Sequence, residues 1–417
     1  MKKWQLLCLG IHIFATSLYA ETQWWLNLND TDITQLVATV RSQNLDIKES
    51  SARIQQAQAL SNASQATQWP LISFIANTSY GNLMTPNNTN ITQIGIQSQW
   101  SPDMFNQQGL EIKAAKARIT SAEFSKENTE KKFICDTITT VLRRKQAQKS
   151  LSIIQKLIDT LNDYKILTAQ QKDSGMISLL TFREIENQVF EAEQQKMQFN
   201  SILSAANASL KILLGVTGNQ EILTNNTINL PNHDLTLDTE ELQKNPDIQR
   251  AFSDLKASDA DLAQAESLVW PTLTLNGLYA LQEASGPTIQ RDDSIQNISA
   301  NLNIPFLTFG RTQNKIDIAK AQKNVAWLRY QATLSKILQN KLALANEYKN
   351  KVEIYKLQEK ISQNITQTFE LTTKQFEAGL IPKQTTYISE ANSYKINLLM
   401  IQAQTDTAKS YVSYNRL

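Results

Sequence analysis

Residues 44–70 read NLDIKESSARIQQAQALSNASQATQWP, and residues 245–271 read NPDIQRAFSDLKASDADLAQAESLVWP. Both stretches open with Asn-x-Asp-Ile, continue through a polar, helix-like segment rich in Ala and Gln, and end in Trp-Pro. Their matched positions lie 201 residues apart throughout. Because one such match can arise by chance, the interpretation as an internal repeat depends on whether the two halves stay similar further along the chain.

Two short segments of alternating apolar and polar residues follow Trp-Pro in each half. They span 71–80 and 91–100 in the first half, and 272–281 and 295–304 in the second. Strict alternation predicts β-strands with one apolar and one polar face, and a tilted strand of 9–11 residues can cross a bilayer. The apolar positions predicted to face lipid are Ile96, Trp100, Leu273, Leu275, Tyr279, Leu302 and Ile304. The polar positions predicted to line a pore are Gln97, Gln99, Thr274, Asn276, Asn301 and Asn303.

A soluble antiparallel sheet packed on a core is the alternative interpretation of these strands. Their polar faces, however, are uncharged and rich in Asn, Gln, Ser and Thr, as the wet lumen of a channel would be. The export signal described below, with no transmembrane helix after it, fits the outer-membrane route. We also expect Trp100 and Tyr279 to suit an aromatic girdle at the membrane interface.

Each half then enters a long helical region without internal proline or glycine. No glycine lies between Gly109 and Gly175 in the first half, or between Gly310 and Gly379 in the second. About 65 residues give a helix of roughly 100 Å, which needs a partner along its length, so we predict coiled-coil-like packing. The supporting apolar residues are Leu151, Ile154, Leu157, Ile158 and Leu161 in one half, and Val352, Tyr355, Leu357, Ile361 and Ile365 in the other.

The repeat continues to the ends of these helices. The turn sequences DSGMIS around Gly175 and EAGLIP around Gly379 match at an offset of 204. Since the offset is 201 before the strands and 204 after them, three extra residues fall in the second strand connection, where insertion is tolerated. We interpret the chain as a tandem duplication with a signal peptide at 1–20, a first repeat at 21–217, a linker at 218–243 and a second repeat at 244–417.

The N-terminus has the pattern of a signal peptide. Lys2 and Lys3 precede a short apolar run, and we expect cleavage after Ala20. The run is too short to span a bilayer and no later stretch approaches 18 apolar residues, so we expect an exported chain without a transmembrane helix. Cys8 lies inside the run, and we interpret it as packing in the signal helix rather than as a lipidation site.

Composition argues against several other classes of protein. Without the two lysines of the signal segment, the chain has 39 basic and 39 acidic residues, which gives no electrostatic case for nucleic acid. Cys135 is then the only cysteine, so no internal disulfide is expected, and we predict that it packs in a core. His233 is the only remaining histidine. We therefore predict no Ser-His-Asp apparatus, no metal site and no cofactor, and not an enzyme.

The duplicated order of helix, strand, strand, long helix, glycine turn and returning helix resembles the outer membrane efflux protein family, the TolC-like channels. The resemblance rests on Asn-x-Asp-Ile and Trp-Pro in both halves, on DMFNQQ and LTFGRT after the strands, and on the glycine turns. That family usually has a segment like Asp-Leu-Phe-Gly-Arg after the second strand. Phe309-Gly310-Arg311 matches it, whereas Phe105-Asn106-Gln107 departs from it.

The resemblance implies a mixed α and β membrane protein that assembles as a homotrimer. Four strands cannot close a barrel, and an open sheet edge is not tolerated in lipid, whereas three copies supply twelve strands. The implied trimer has a 12-stranded transmembrane barrel in lipid of the cell outer membrane. Beneath it, long coiled-coil-like helices such as Glu111–Lys172 and Lys315–Lys374 form an α-helical tunnel in the periplasm.

The implied function is a passive exit duct of a tripartite efflux or type I secretion system. Its implied partners are a periplasmic adaptor protein and an inner-membrane transporter of the RND, ABC or MFS type, which supplies the energy. The alternative is a periplasmic coiled-coil adaptor protein without a pore, although two helical hairpins and four membrane-length strands do not fit one. The resemblance does not indicate whether drugs, metals or proteins are exported.

The resemblance also implies that the adaptor docks at the two glycine turns, which we call the tips. The tip residues are Gly175, Met176, Ile177 and Ser178 in the first half, and Gly379, Leu380, Ile381 and Pro382 in the second. Each glycine is suited to end a helix in the left-handed conformation, and this structural role can coexist with docking.

TolC-like channels commonly carry an aspartate six residues after the tip glycine and often a second one turn later, and these form cation-binding rings at the periplasmic gate. The positions implied for the gate here are Thr181, Glu184, Thr385 and Ile388. With no acid in the second half, and Lys374 and Lys383 close by, we expect a neutral or mildly basic ring. A slip of the alignment around Pro382 would bring Glu390 nearer. The alternative is that the two threonines only cap or pack the returning helices.

Overall fold

The structure of the chain is a computed structural model, which describes residues 23–81, 89–215, 225, 227–231, 242–286 and 289–417. The predicted signal peptide, with Cys8, lies outside the described residues, as do His233 and most of the predicted linker. Within the described ranges, no helix combines the length and the apolar character needed to cross a membrane.

From α2 onward, the described elements occur in the same order in both halves. After a short 3₁₀ helix (Trp24–Leu28), the first half contains α1 (Thr31–Gln43), α2 (Leu45–Ala66), β1 (Leu71–Gly81), β2 (Thr89–Trp100), α3 (Gln107–Asp173) and α4 (Leu179–Leu214). The second half contains α5 (Pro246–Ser267), β3 (Thr272–Gly286), β4 (Ile289–Asn303), α6 (Arg311–Glu377) and α7 (Lys383–Arg416). The prediction of two long uninterrupted helices is confirmed, since α3 and α6 each contain 67 residues.

The repeated motif marks the start of two equivalent helices of 22 residues, α2 and α5. Asn245 caps α5, because its side-chain oxygen accepts a hydrogen bond from the N–H of Asp247 at 2.9 Å, and Pro246 occupies the first turn. Asn44 instead donates its side-chain amide to the carbonyl of Leu213 at 3.0 Å, which ties the end of α1 to the end of α4. Each helix ends three residues before the tryptophan of its Trp-Pro pair, because the proline that follows prevents the helix from continuing.

The four strands form one antiparallel sheet in the order β1-β2-β3-β4, so β1 and β4 are its edges. Equivalent residues of the two hairpins pair in equivalent ways: Leu71 pairs with Gln99, and Thr272 pairs with Asn303. The hairpins are not level, however. Gln99 also pairs with Asn276, so Leu71 lies opposite a position four residues beyond Thr272. The second hairpin is therefore staggered by four residues relative to the first.

The described chain divides into two compact units, and each unit draws on both sequence halves. The first comprises the described parts of Met1–Asn44, Lys132–Leu237 and Lys341–Leu417, and the second those of Leu45–Lys131 and Asp238–Asn340. The sheet belongs to the second unit. Compact units and sequence repeats are therefore different divisions of the chain, because the long helix of each repeat contributes to both units.

In the second unit, α3 packs against α5 through a polar seam. Asp247, Asp254 and Asp261 of α5 are spaced by seven residues, the repeat of a coiled coil, and each accepts a side-chain hydrogen bond from α3. Their respective donors are Asn128 at 2.9 Å, Ser121 at 2.5 Å and Arg118 at 2.5 Å. This seam has the spacing of a coiled coil but is polar, and it lies outside the apolar positions from which coiled-coil packing was predicted.

In the first unit, the apolar stripe predicted for α3 is buried against α4 and α7. Its buried members are Ile154, Leu157, Ile158 and Leu161. Cys135 is buried in the neighbouring apolar cluster, as predicted. The corresponding stripe of α6 differs, since Leu357 and Ile361 stay 60% and 44% exposed. The predicted helix packing is therefore complete for α3 within one chain, whereas part of the α6 stripe stays open.

Candidate functional site

The two faces of the sheet differ in chemistry. Residues paired across an antiparallel ladder share a face, so the register sorts the strand residues into two sets. One set, the apolar face, contains Ile96, Trp100, Leu273, Leu275, Tyr279 and Leu302. The other set, the polar face, contains Gln97, Gln99, Thr274, Asn276, Asn301 and Asn303. The structure therefore separates the two groups of residues predicted from alternation, and Ile304 follows directly after β4.

The repeat indicates which residues of the apolar face share a depth, because each hairpin starts from an equivalent Trp-Pro. Trp100 and Ile304 lie at the base, next to Trp-Pro. The first level above the base contains Ile72, Ser98, Leu273 and Leu302, and the second, which is the middle of the band, contains Phe74, Ile96, Leu275 and Ala300. The third level contains Ala76, Ile94, Gly277 and Ile298. The fourth level contains Thr78, Thr92, Tyr279 and Gln296, which all have a polar group, so the apolar band ends there. It lies eight residues from the base, or about 27 Å along a strand. The stagger between the hairpins gives a strand tilt of about 55°, at which this length spans about 16 Å of depth, within the roughly 25 Å apolar band of transmembrane strands.

Trp100 and Tyr279 lie at opposite limits of this band. Trp100 ends β2, and its indole N–H donates to the carbonyl of Gln68 at 3.0 Å. Tyr279 is 53% exposed and occupies the same level as Thr78 and Thr92, where the polar residues begin. Aromatic rings with a polar group suit the two interfaces of a membrane, which keeps both residues as girdle candidates.

The two tips have the same backbone conformation. Gly175 and Gly379 have φ of +73° and +72°, in the left-handed region that glycine adopts without strain. The N–H of Gly175 donates to the carbonyl of Lys172 at 2.9 Å, and the N–H of Met176 donates to that of Gln171 at 2.8 Å. The matching bonds of the second tip run from Gly379 to Phe376 and from Leu380 to Gln375, both at 2.9 Å. This Schellman pattern ends both long helices, so both glycines act as helix caps.

Apolar side chains stand open at both tips. Met176 and Leu380 are 75% and 74% exposed, whereas Ile177 and Ile381 are half-buried. Helix α4 begins after Ser178 and α7 after Pro382, which are again 204 residues apart. The two halves therefore keep one register through the tips.

The predicted gate residues lie near the starts of α4 and α7. Thr181 belongs to the cap of α4: its N–H donates to the hydroxyl oxygen of Ser178 at 3.2 Å, and the two hydroxyls are 3.1 Å apart. Pro382 has no side-chain oxygen to offer, and the N–H of Thr385 donates to its carbonyl at 3.1 Å. Thr385 and Ile388 are both exposed. The structure thus gives Thr181 a capping contact and leaves Thr385 open.

The charges near the gate are unequal between the two tips. Glu184 is exposed on α4, whereas Glu390 of α7 is half-buried and accepts a hydrogen bond from the hydroxyl of Tyr394 at 3.1 Å. The ammonium of Lys383 lies 5.2 Å from the ring centre of Tyr387, and hydrogen bonding to Tyr387 raises the pKa of Lys383. The second tip therefore carries an exposed cation at Lys383.

A buried charge cluster in the first unit was not predicted from the sequence. The ammonium of Lys145 is fully buried, hydrogen-bonds to the carboxylate of Asp30 and lies 3.7 Å from that of Asp32. It also donates to Asn225 at 2.9 Å and to the carbonyl of Thr227 at 3.1 Å. Lys145 thus joins α3 to the start of α1 and to a described part of the predicted linker. The only sign of this buried cluster in the sequence is a lysine within the apolar pattern of α3, and that sign is weak.

Comparison with known proteins identifies the family. The model of the family described as outer membrane efflux protein matches residues 36–216 and 238–413. The chain belongs to the outer membrane efflux protein family. It is therefore an outer-membrane transport protein rather than an enzyme, and the channel prediction is favoured over the adaptor alternative.

Sequence relatives and solved structures of this efflux protein cover nearly the whole chain. Multidrug resistance outer membrane protein MdtQ of Escherichia coli O157:H7 is 22% identical, across 93% of this chain and 85% of MdtQ. The structure of the outer-membrane channel OprN matches with a TM-score of 0.84 at 18% identity, across 95% of this chain and 92% of OprN. The Campylobacter jejuni CmeC outer membrane channel matches with a TM-score of 0.82 at 16% identity, across 94% and 87%. The predicted TolC-like fold is confirmed.

Proposed function

We propose that three copies of this chain form a closed channel that serves as the passive exit duct of a tripartite efflux system. The observation that carries the proposal is a four-stranded sheet with two open edges and one apolar, largely exposed face, in a member of the outer membrane efflux protein family. Such a sheet is incomplete by itself in lipid, and it is complete once copies join edge to edge.

The open edges supply the reason for oligomerisation. An edge strand of 11 residues such as β1 directs about five N–H and five C=O groups away from its partner. Each unsatisfied group costs several kcal/mol in hydrocarbon. Pairing of β1 with β4 of the next copy satisfies both edges, and three copies give twelve strands, an even number within the usual range.

The exposed part of the α6 stripe, extended by the neighbouring apolar residues Ile354 and Leu371, supports the same assembly. Ile354, Leu357, Ile361 and Leu371 are each at least 44% exposed and recur at coiled-coil spacing. A helix of 67 residues gains little from its own backbone bonds without lateral packing. Contact with a neighbouring copy would cover this stripe and continue the tunnel of helices beneath the barrel.

In the proposed trimer, the apolar face of the sheet contacts lipid, and the polar face lines the lumen. The adaptor docks at the tips Gly175–Ser178 and Gly379–Pro382, where exposed apolar side chains flank a fixed turn. An inner-membrane transporter of the RND, ABC or MFS type supplies the energy. Thr385 and Ile388 are uncharged, and Lys383 beside them offsets the exposed Glu184 of the first tip, so the gate ring is neutral or mildly basic.

Small molecules are the favoured cargo, because MdtQ is described as a multidrug resistance protein. The same architecture would also fit type I secretion. The proposal is tested by expressing the full chain in a Gram-negative host and purifying its outer membranes. We expect a heat-modifiable trimer band in that fraction and discrete conductance steps in planar bilayers. A monomer that leaves with the soluble periplasm would refute the proposal.

A further inference from the structure

A groove of about 560 Å³ lies between α3 and α7 in the first unit, away from the tips and the sheet. Its apolar lining consists of Ile153, Met400 and Ile401. The volume falls within the range of small-molecule sites, and methionine adapts its shape to different apolar ligands. The groove therefore has the size and the lining for the hydrocarbon part of a ligand.

Lys149 places a cation in this groove. Its side chain is half-buried, and no carboxylate of the described residues pairs with it. Burial lowers the pKa of Lys149, and the neighbouring charge of Lys145 lowers it further, while Lys145 itself is already paired with Asp30. An ammonium that has lost part of its water without gaining a counter-ion is destabilised, and a bound anion relieves this cost.

The remaining polar groups of the groove are biased toward donors. The side-chain oxygen of Gln148 already accepts a hydrogen bond from Arg144 at 3.1 Å, and that of Asn397 accepts one from Ser362 at 3.0 Å. The amide N–H groups of Gln148 and Asn397 are therefore available to a ligand. The amide N–H of Gln404 already donates to the carbonyl of Ile228, so Gln404 can offer a ligand only its side-chain oxygen. Two amide donors and an ammonium that line the same groove favour an acceptor-only group such as a carboxylate or sulfonate.

We propose that this groove binds an amphiphilic anion. Its carboxylate or sulfonate meets Lys149 and the amide of Asn397, and its short hydrocarbon or aromatic body lies along Ile153 and Met400. One chain supplies every one of these groups, so the site is complete without a second copy. All of these groups belong to the first unit, so the site exists whether or not copies of the chain assemble into a channel.

Photolabelling of the full-length protein in an uncharged maltoside detergent tests the site. The probe is decanoate with a diazirine near its chain end, and peptide mass spectrometry locates the label. We expect labelling within 148–153 and 397–404 that excess decanoate removes and excess decylammonium does not. Lys149→Gln should weaken the apparent affinity about tenfold or more, as expected for a lost charge-assisted hydrogen bond. Lys149→Arg should retain binding.

Lys156→Gln is the matched control, because Lys156 is exposed on the same helix two turns away, and it should leave labelling unchanged. Melting temperature and gel migration verify that each variant is folded. Removal of the label by anilinonaphthalene sulfonate as well as by decanoate would support a site for varied anionic compounds, whereas removal by decanoate alone would support a fatty-acid site. Equal competition by decylammonium, or unchanged labelling of Lys149→Gln, would overturn the proposal. Absent labelling together with dissociation of Lys149→Gln oligomers would assign the groove to a contact between copies.

Discussion

Substitution of Ile96 by arginine tests which face of the sheet meets lipid. Ile96 lies on the apolar face at the middle level of the band, and its side chain is 54% exposed. The next residue, Gln97, lies on the polar face and is also exposed. In the proposed channel, Ile96→Arg places a charge near the centre of the bilayer, whereas Gln97→Arg places the same charge in the water of the lumen.

The expected loss of stability depends on how deep in the bilayer the arginine lies. Arginine on a lipid-facing strand costs about 2–4 kcal/mol at the bilayer midplane and about 0–1 kcal/mol near an interface. Three copies would bring Ile96→Arg to about 6–12 kcal/mol per trimer. Ile304 lies at the base of the band, four residues from the middle level, or about 14 Å along the strand. Ile304→Arg should therefore cost much less, and Leu302→Arg should fall between the two.

The assay is the temperature at which the trimer band disappears on a semi-native gel, with urea unfolding in liposomes as a second measurement. We expect Ile96→Arg to destabilise most, Ile304→Arg slightly and Gln97→Arg least, with Gln97→Arg shifting the channel toward anion selectivity. The matched pair Leu302→Arg and Asn301→Arg should repeat the contrast. Equal destabilisation by Ile96→Arg and Gln97→Arg would refute the assignment of the two faces.

Gly379→Val should stop export, because valine strains the left-handed turn by about 1–2 kcal/mol and so changes the tip. Trimers should persist, because this strain is small and local to an exposed tip. Gly81→Ala is the control, since a methyl group at Gly81 would meet nothing within 4 Å. Loss of the trimer would make Gly379 purely structural. A trivalent cobalt complex on the periplasmic side should block single-channel conductance weakly in the unmodified protein and strongly in Thr385→Asp, whereas tight block of the unmodified channel would mean that an acid already lines the gate. Lys145→Met should lower the free energy of unfolding by about 3–5 kcal/mol in denaturant titrations, because Asp30 then stays buried without its partner; a loss below about 1 kcal/mol would contradict this.

The strands and their faces could be predicted from the sequence because parity alone decides which way a strand residue points. Asn301 and Leu302 therefore lie on opposite faces in the structure, as the alternation indicated. The far end of β3 could not be predicted in the same way. Glu283 falls on the apolar face and breaks the alternation, yet backbone pairing continues to Gly286. Ladder hydrogen bonds join main-chain groups, so they persist where side chains no longer alternate.

Other features depend on contacts that a local pattern does not contain. Asn106 departs from the family's usual glycine but has φ of +58°, close to the +83° of Gly310, because asparagine also tolerates the left-handed region. The burial of Lys145 required Asp30 and Asn225, which are distant in sequence, to meet it. The exposure of Leu357 and Ile361 on α6 likewise depends on which helices pack against α6, which its own sequence pattern does not show.

The four-residue stagger between the two hairpins bears on the width of the proposed pore. A stagger of about two residues per strand corresponds to a strand tilt of about 55° when strands are about 4.8 Å apart. In the proposed trimer, twelve strands at that tilt would enclose a cylinder about 30 Å across between backbones, wider than upright strands would give. Even after side chains fill its margin, a bore of that diameter passes small solutes without sieving them. Discrimination among exported molecules would then lie with the proteins that load the duct from below.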